Sequence, residues 1–499
     1  MSTVSHRGHC LPAALITSAI LYGCAALLSA TAGAADAVPL RAPTAQQQRS
    51  SEVDRGHYLA IAADCAACHT VPGSKQLFAG GYAINSPMGQ IYSSNITPSK
   101  TYGIGNYSQA QFARAVREGI NDKGQHLYPA MPYASYAGMA DSDVDALYRY
   151  FMTSVTPVEH AAPPTHLQFP FDMRALMLGW NLLFLDHGTP AAKAPETGVA
   201  RGKYLVDNVE HCAECHSPRN ALMAVEHGAD ALSGANLGGW YAPNITNSPT
   251  AGVGGWSDQE LVQYLKTGHV TGKGQAAGPM AEAVTNSLQY LPDSDLQAMV
   301  QYLRTLPSNA SVAGKQPAFS YGTAVNSEAQ VIGQRPMQVA MAPMSGQQLY
   351  ENTCASCHQS DGMGTADGAY PSLVHNTALG GSSPNNLVSV ILNGVDRDVA
   401  GQHVLMPAFG PDSEVQALND SQVADLANYL FSQFGNPRLK LTSADVTTLR
   451  TGGNKPLIAT LALPAFCAGI VVVAGLVIWL LIRVRRGRSA SPQLTRRAA

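Results

Sequence analysis

The chain has 499 residues, a length typical of about three domains. Its 31 lysines and arginines against 34 aspartates and glutamates give a formal net charge of −3. Without Arg7 and the six arginines after residue 482, 24 basic and 34 acidic side chains remain, a net charge of −10. Such an acidic surface argues against nucleic acid as a partner and would attract a basic protein.

The N-terminal segment, residues 1–35, is predicted to be a secretory signal peptide. Arg7 supplies its positive start, Leu11 to Leu28 form an apolar stretch, and Ala34 ends a small-residue cleavage site. Lipoprotein processing at Cys24 is the alternative, although the apolar stretch continues past that cysteine. Either route predicts that the segment after it is exported.

One motif, Cys-x-x-Cys-His, occurs three times in the exported part. The copies are Cys65-Ala66-Ala67-Cys68-His69, Cys212-Ala213-Glu214-Cys215-His216 and Cys354-Ala355-Ser356-Cys357-His358. This motif is the attachment signature of c-type haem: two thiols bond to one porphyrin, and the histidine binds the iron. A redox-active dithiol or half of a zinc site would not require that histidine. The motifs therefore predict three covalently bound haems with His69, His216 and His358 as iron ligands.

Each motif lies in a unit that opens and closes with a helical pattern. The opening pattern carries a glycine near its start: Gly56, Gly202 and Gly346. The closing pattern begins at Asp141, Asp293 and Asp420, where an aspartate or serine cap precedes apolar residues on one face. The repetition predicts two helices that cross at the edge of each haem.

The first two units resemble each other more than either resembles the third. Asn95-Ile96-Thr97 recurs as Asn244-Ile245-Thr246, and the glycine-rich sequence after each opens another helix at Ser108 and Ser257. In the third unit the only middle helix predicted is Asn385–Asn393. The sequence therefore indicates a duplicated pair followed by a shorter unit.

The residue opposite the histidine decides whether each iron carries electrons or binds a substrate. A methionine thioether favours ferrous iron and closes the sixth position. One methionine adjoins proline in every unit, 62, 64 and 48 residues after its histidine: Met131, Met280 and Met406. These are the predicted sixth ligands, each in a loop held by its proline. Met88, Met139 and Met363 are disfavoured because they come too early or too late in their units.

Several other histidines could be alternative ligands or lie at a haem edge, although a surface role is favoured: His126, His211, His269, His375 and His403. Two connectors join the units. Residues 157–199 surround the apolar segment Ala175–Leu185, which is too short to span a membrane and is expected to pack on its own domains rather than dock a partner. Residues 307–343 are rich in Ala, Gly, Pro and Ser, which predicts a flexible or surface-running linker.

The C-terminal part contains a predicted membrane anchor. Residues 457–482 hold no charged side chain over 26 positions, enough to cross the hydrocarbon of a bilayer. The arginines that follow predict that residues 483–499 form a cytoplasmic tail, which leaves the units before the anchor on the periplasmic side.

The tandem motifs resemble the triple-haem cytochrome c subunit of membrane-bound alcohol, aldehyde and gluconate dehydrogenases. The resemblance covers about residues 50–435. Besides the three motifs, it is carried by Asn95-Ile96-Thr97 with Gly103-Ile104-Gly105, by Leu127-Tyr128-Pro129-Ala130-Met131-Pro132-Tyr133 and by Phe169-Pro170-Phe171-Asp172-Met173-Arg174. It implies a subunit that takes electrons from a periplasmic dehydrogenase and delivers them to ubiquinone or onward to a terminal oxidase.

We therefore predict an all-α fold with three tandem cytochrome c-like domains and one C-terminal transmembrane helix. The predicted domains are residues 50–156, 200–306 and 344–435. The sequence contains no Gly-x-Gly-x-x-Gly and no quinoprotein repeat, so a separate catalytic subunit is expected to oxidise the substrate. Two alternatives stay open: a multihaem peroxidase-like enzyme and a subunit of a terminal oxidase.

Overall fold

The computed structural model describes residues 45–310, 316–325 and 344–489. The predicted signal peptide with Cys10 and Cys24, most of the linker 307–343 and the end of the basic tail lie outside the described residues.

The first unit opens with a long helix and closes with a second one that packs against it. Its helices are α1 (Ala45–Ala62), α2 (Cys65–His69), α3 (Gln109–Glu118), α4 (Tyr133–Tyr136) and α5 (Asp141–Thr153). Strands β1 (Ala83–Ser86) and β2 (Gly89–Tyr92) form an antiparallel hairpin. The connector after this unit adds β3 (His166–Leu167) to the same sheet and then forms helix α6 (Leu176–Phe184).

The second unit repeats this order. Its helices are α7 (Gly198–Tyr204), α8 (Ala213–His216), α9 (Asp258–Thr267), α10 (Pro279–Asn286) and α11 (Asp293–Thr305). A π-helical turn over Leu205–Val209 extends α7 towards the motif. Strand β4 (Ala235–Leu237) pairs with β5 (Trp240–Ala242), and β6 (His269–Val270) pairs with β7 (Gly274–Gln275).

The third unit is shorter but has more structure than the sequence predicts. Its helices are α12 (Gly346–Thr353), α13 (Ala355–His358), α14 (Thr377–Gly380), α15 (Asn385–Asn393) and α16 (Asp420–Phe434). The expectation that α15 is its only middle helix is wrong, because the Asn376 side chain caps α14 by accepting from the Ala378 amide. A hairpin, β8 (Val395–Val399) with β9 (Gln402–Met406), completes the unit.

The all-α prediction is confirmed in part. Helices dominate the described residues, and the strands form four small antiparallel sheets. These hairpins escape prediction because their strands are two to five residues long, too short for a clear alternating pattern.

Glycine permits the close crossing of the first and last helix in every unit. A Cβ atom on Gly56 would lie 2.1 Å from the carbonyl oxygen of Ala146. The corresponding distances are 1.8 Å from Gly202 to Ala298 and 2.1 Å from Gly346 to Asp425. The predicted crossing of terminal helices is therefore present, and the repeated glycine is its contact point. In the first unit that glycine lies well inside α1 rather than near its start.

The helix starts are partly as the sequence predicts. Ser108 and Ser257 cap α3 and α9, each through a reciprocal pair of hydrogen bonds with the residue three positions later. The expectation that Asp141, Asp293 and Asp420 are caps is wrong, since each is the first helical residue. Asn419 caps α16 through its side chain, whereas the residues before Asp141 and Asp293 make no side-chain cap hydrogen bond. The three aspartate carboxylates still suit their position, because negative charge is favourable in the first helical turn.

A reciprocal polar network joins the first two units. Arg55 in α1 binds Asp143 in α5 with a distance of 2.6 Å from Nε to Oδ1, and Arg201 in α7 forms a bidentate pair with Asp295 in α11. The Tyr204 hydroxyl donates across the units to Asp143, at 2.8 Å, and the Tyr58 hydroxyl donates to Asp295, at 2.5 Å. Around this network, buried side chains of both units form one continuous apolar core.

The third unit has its own core and docks on the preceding units through polar contacts and through Val399, whose buried side chain joins their apolar core. The buried guanidinium of Arg397 in β8 donates to the carbonyl oxygens of Gly268 and Ala276, at 3.1 and 2.8 Å. The Asn386 side chain binds both the amide and the carbonyl of Tyr241 in β5. Comparing the repeated sequences of the three units does not predict these contact residues of the third unit.

Two helices follow the third unit. Helix α17 (Ser443–Arg450) packs on its core through Val446, and α18 (Leu457–Ser489) extends away with exposed apolar side chains. By length and composition, residues 457–486 of α18 are the one helix among the described residues that could cross a membrane. Pro464 lies inside α18.

Candidate haem sites

Each Cys-x-x-Cys-His motif forms one short helical turn directly after the opening helix of its unit. In the first two units a residue with left-handed backbone precedes the first cysteine: Asp64 with φ +49° and His211 with φ +42°. Asp and His tolerate this conformation better than most side chains. The sharp turn lets the motif leave the axis of the opening helix. In the third unit α12 runs directly into Cys354 without such a residue.

A backbone carbonyl fixes one nitrogen of each motif histidine. The Nδ1 atom of His69 lies 2.7 Å from the Ser94 carbonyl oxygen, that of His216 lies 2.7 Å from Pro243, and that of His358 lies 2.9 Å from Pro371. An Nδ1–H donated to a carbonyl leaves the Nε2 lone pair free, which is the arrangement of metal-binding histidines. Burial lowers the pKa of all three imidazoles and so favours the neutral, ligating form.

The six motif thiols are half-buried and form no disulfide. Burial raises the pKa of Cys65 and Cys68 to about 12 and that of Cys354 to about 11. A dithiol used in redox exchange or zinc binding needs a lowered thiol pKa, which these surroundings oppose. Within the described residues, no group of three or more His, Cys, Asp or Glu side chains could hold a metal ion directly. The donor sets therefore fit iron that is held by a porphyrin and approached by one histidine.

The three predicted methionines are half-buried, but two of them do not lie in loops. Met131 lies outside the short helix α4, in the chain that leads into it, and so has the predicted loop position. Met280 is the second residue of α10, and Met406 is the last residue of β9, so the expectation of a proline-held loop is wrong at both positions. In the second unit the proline starts the helix that carries the methionine. Met139 is fully buried in the apolar core shared by the first two units.

The sites of the first two units face each other. The Ser135 hydroxyl, four residues after Met131, donates to Glu214 inside the second motif at 3.1 Å. Helix α10, which carries Met280, packs against α2, which carries the first motif. Tyr136 donates from its hydroxyl to the Ala63 carbonyl and packs edge-on against His211. Groups next to Met131 and Met280 thus contact the motif of the other unit.

Sequence reasoning missed the buried polar groups at this contact. Burial raises the pKa of Glu210, Asp64 and Glu282 and favours their neutral forms. The Oε1 atom of Glu210 accepts from the Ser287 hydroxyl at 3.3 Å. The surface role favoured for His211 is wrong, because its ring packs on Tyr136 and burial lowers its pKa. The only available sequence signal was the position of Asp64 and His211 directly before a motif cysteine.

Among the other alternative histidines, His403 is exposed and paired with Asp398 at 2.8 Å, as a surface residue would be. His126 lies 3.3 Å from the side chain of Asn181, which belongs to α6.

Comparison with known proteins gives matches over nearly the whole chain. A family model described as cytochrome c matches residues 53–154, 199–307 and 344–433. The fructose dehydrogenase cytochrome subunit of Gluconobacter japonicus is 49% identical over 90% of this chain and 94% of its own length. The alcohol dehydrogenase (quinone) cytochrome c subunit of Gluconacetobacter polyoxogenes is 38% identical over 81% and 85%. The gluconate 2-dehydrogenase cytochrome c subunit of Pantoea cypripedii is 37% identical over 81% and 90%.

Proposed function

The chain belongs to the cytochrome c family, with three matching segments and three covalently bound c-type haems, and from this membership we propose that it is the electron-transfer subunit of a membrane-bound dehydrogenase complex. The observation that carries the proposal is the match to cytochrome subunits of three dehydrogenases over most of both chains. The geometry of the three motifs agrees with it, since each presents two thiols and one oriented imidazole.

We assign the three haem domains to residues 50–156, 200–306 and 344–435. In each, the cysteine pair would hold the porphyrin, the histidine would bind the iron, and Met131, Met280 or Met406 would be the second protein ligand of the iron. When bound, the haems supply one-electron carriers whose potentials depend on their axial ligands and burial. The protein orients each imidazole through a carbonyl, surrounds the site with apolar side chains and limits the access of water.

The partner in this proposal is a separate catalytic subunit that oxidises an alcohol, an aldehyde, a sugar or a sugar acid. Electrons would leave to ubiquinone or towards a terminal oxidase. Helix α18 would anchor the subunit in the cytoplasmic membrane, with the haem domains on the periplasmic side and the arginines after residue 482 in the cytoplasm. The predicted signal peptide fits the same export route.

Replacement of the proposed methionine ligands tests the ligation. We expect Met131→Ala, Met280→Ala and Met406→Ala each to open one iron, so that the reduced protein gains carbon monoxide binding at one haem and the potential of that haem falls. Optical titration and carbon monoxide difference spectra measure both effects. Met139→Leu is the control, because it conserves the volume of a buried methionine that is not a proposed ligand. Unchanged spectra in all three alanine variants would refute the assignment.

Purification of the intact complex from membranes tests the function. We expect a dehydrogenase subunit to copurify and its substrate to reduce all three haems. A variant without the first attachment site, Cys65→Ala with Cys68→Ala, should retain two haems and lose most of the substrate-dependent quinone reduction. Copurification with an integral haem–copper oxidase, or peroxide turnover by the isolated subunit, would instead support one of the two alternatives.

A further inference from the structure

Helix α6 exposes its apolar side chains and buries a polar one. Leu182 is 75% exposed, Leu183 66% and Leu178 62%, whereas the amide side chain of Asn181 is only 4% exposed. Helices on the surface of a water-soluble protein have the opposite orientation, with leucines inside and amides outside. The expectation that this segment packs on its own domains is therefore correct only for the face that carries Trp180, Asn181 and Leu185.

Specific contacts hold α6 in this orientation. Asn181 accepts from the Tyr133 hydroxyl at 2.8 Å and donates to the Glu118 carbonyl at 3.1 Å. At the preceding position, the Trp180 ring packs edge-on against Tyr133, and its indole N–H donates to the Leu222 carbonyl at 3.0 Å. Rotating the helix to bury its leucines would leave these buried polar groups unpaired, which is unfavourable. These contacts therefore hold the leucines of α6 in their outward orientation.

The same connector contacts the helix proposed to span the membrane. Phe169, seven residues before α6, packs edge-on against Phe466 with 4.9 Å between ring centroids. Phe466 is the tenth residue of α18, about 14 Å from the start of that helix at 1.5 Å per residue. Phe169 therefore lies beside the apolar part of α18 rather than beside its polar end.

From these contacts we propose that Phe169 and α6 lie in the interface of the lipid bilayer, with the outward leucines among the acyl chains and headgroups. This inference rests on the proposed membrane placement of α18. The helix has nine residues and no ionisable side chain, too short to span but suited to an interfacial position. Arg174 before it and Asp186 after it would remain in water. Lipid is favoured over a protein surface because the face offers no charged group for specific pairing and adjoins α18 through Phe169.

Photolabelling from the lipid phase tests the proposal on the full chain in its native complex. Membranes or phosphatidylcholine vesicles carry a phospholipid with a photoactivatable diazirine on its acyl chain, and labelled peptides are identified by mass spectrometry. We expect the peptide containing α6 to be labelled on the order of tenfold more than the peptide containing Val415, an exposed apolar residue of the third unit. Peptides of α18 provide the internal standard for the membrane.

A paired variant, Leu182→Gln with Leu183→Gln, removes the apolar face without touching Asn181 or Trp180. Its α6 label should fall to the level of the Val415 peptide, while the α18 label and the haem content stay unchanged. Val415→Gln is the matched control and should change none of these labels. The proposal is overturned if α6 in the wild type is labelled no more than Val415 while α18 is labelled, or if α6 is labelled only after the catalytic subunit is removed. Absence of label in α18 would overturn the membrane placement on which both ideas depend.

Discussion

Replacing Gly202 by alanine is expected to destabilise the second unit by about 3 kcal/mol or more, at the upper end of the cost of overpacking. The new Cβ atom would lie 1.8 Å from the Ala298 carbonyl oxygen and 2.4 Å from its carbon. Both are backbone atoms of α11, so neither can move away as the end of a flexible side chain could. The two helices would have to separate, which opens the core around the second motif. Haem content and hydrogen exchange of α7 and α11 measure the effect.

The control for this change is Gly179→Ala in α6. A Cβ atom at Gly179 would meet nothing within 4 Å, and the residue lies in a helix. Alanine there should be neutral or stabilising by up to about 1 kcal/mol, because alanine has the higher helix propensity. If Gly202→Ala retained full haem content and native hydrogen exchange, the close crossing of α7 and α11 would not be required for the fold of this unit.

The sequence predicts this crossing only in outline. The repeated glycine and the repeated aspartate pattern indicate two terminal helices, because both recur once in each unit. The contact itself joins positions 96 residues apart in the second unit, and no local pattern specifies which backbone atom meets Gly202. The same limit explains why the prediction of Asp141 and Asp293 as caps is wrong: the sequence shows an acidic helix start but not which residue leaves helical geometry first.

The sequence likewise predicts some parts of the candidate haem sites and not others. Cysteines and histidines are predictable because the attachment chemistry fixes their spacing. Backbone carbonyl groups orient the three motif histidines. They belong to Ser94, Pro243 and Pro371, and because they are backbone groups, no residue type in the sequence predicts them. The inverted orientation of α6 is also hidden, since its apolar composition fits a buried helix as well as an exposed one.

The pairing of the first two units has a sequence signature that can be recognised only once the structure is known. Arginine and tyrosine recur three residues apart in α1 and α7, and Asp143 and Asp295 recur in the closing helices. In the third unit Ser345, Gln348 and Gln422 stand at the corresponding positions. The third unit therefore cannot form the reciprocal network, and it instead contacts the second through Arg397.

Replacing Asp295 by asparagine is expected to destabilise the paired units by about 3–5 kcal/mol, because it leaves the buried Arg201 guanidinium without its carboxylate. The Arg201 side chain is 7% exposed, and its Nη2 lies 2.8 Å from Oδ2 of Asp295. Tyr58 of the first unit would also lose a charged acceptor. Because a chain of several domains does not unfold in one step, hydrogen exchange in α1, α7 and α11 is the appropriate measurement. Faster exchange should appear in both units.

The acid sensitivity of the same carboxylate provides an independent check. Burial acts to raise the pKa of Asp295, but hydrogen bonds from Arg201 and Tyr58 and the charge of Arg201 outweigh it and hold the pKa below its usual value. The folded pKa is then the lower one, so its contribution is complete above about pH 4, the range of an unperturbed aspartate, and is lost as the pH falls through the folded value. Asp295→Asn should abolish this part of the acid dependence.

Glu118→Gln, in the exposed pair with Arg114, should alter stability by no more than about 0.5 kcal/mol. Equal effects of the two amide substitutions would mean that the network does not hold the first two units together.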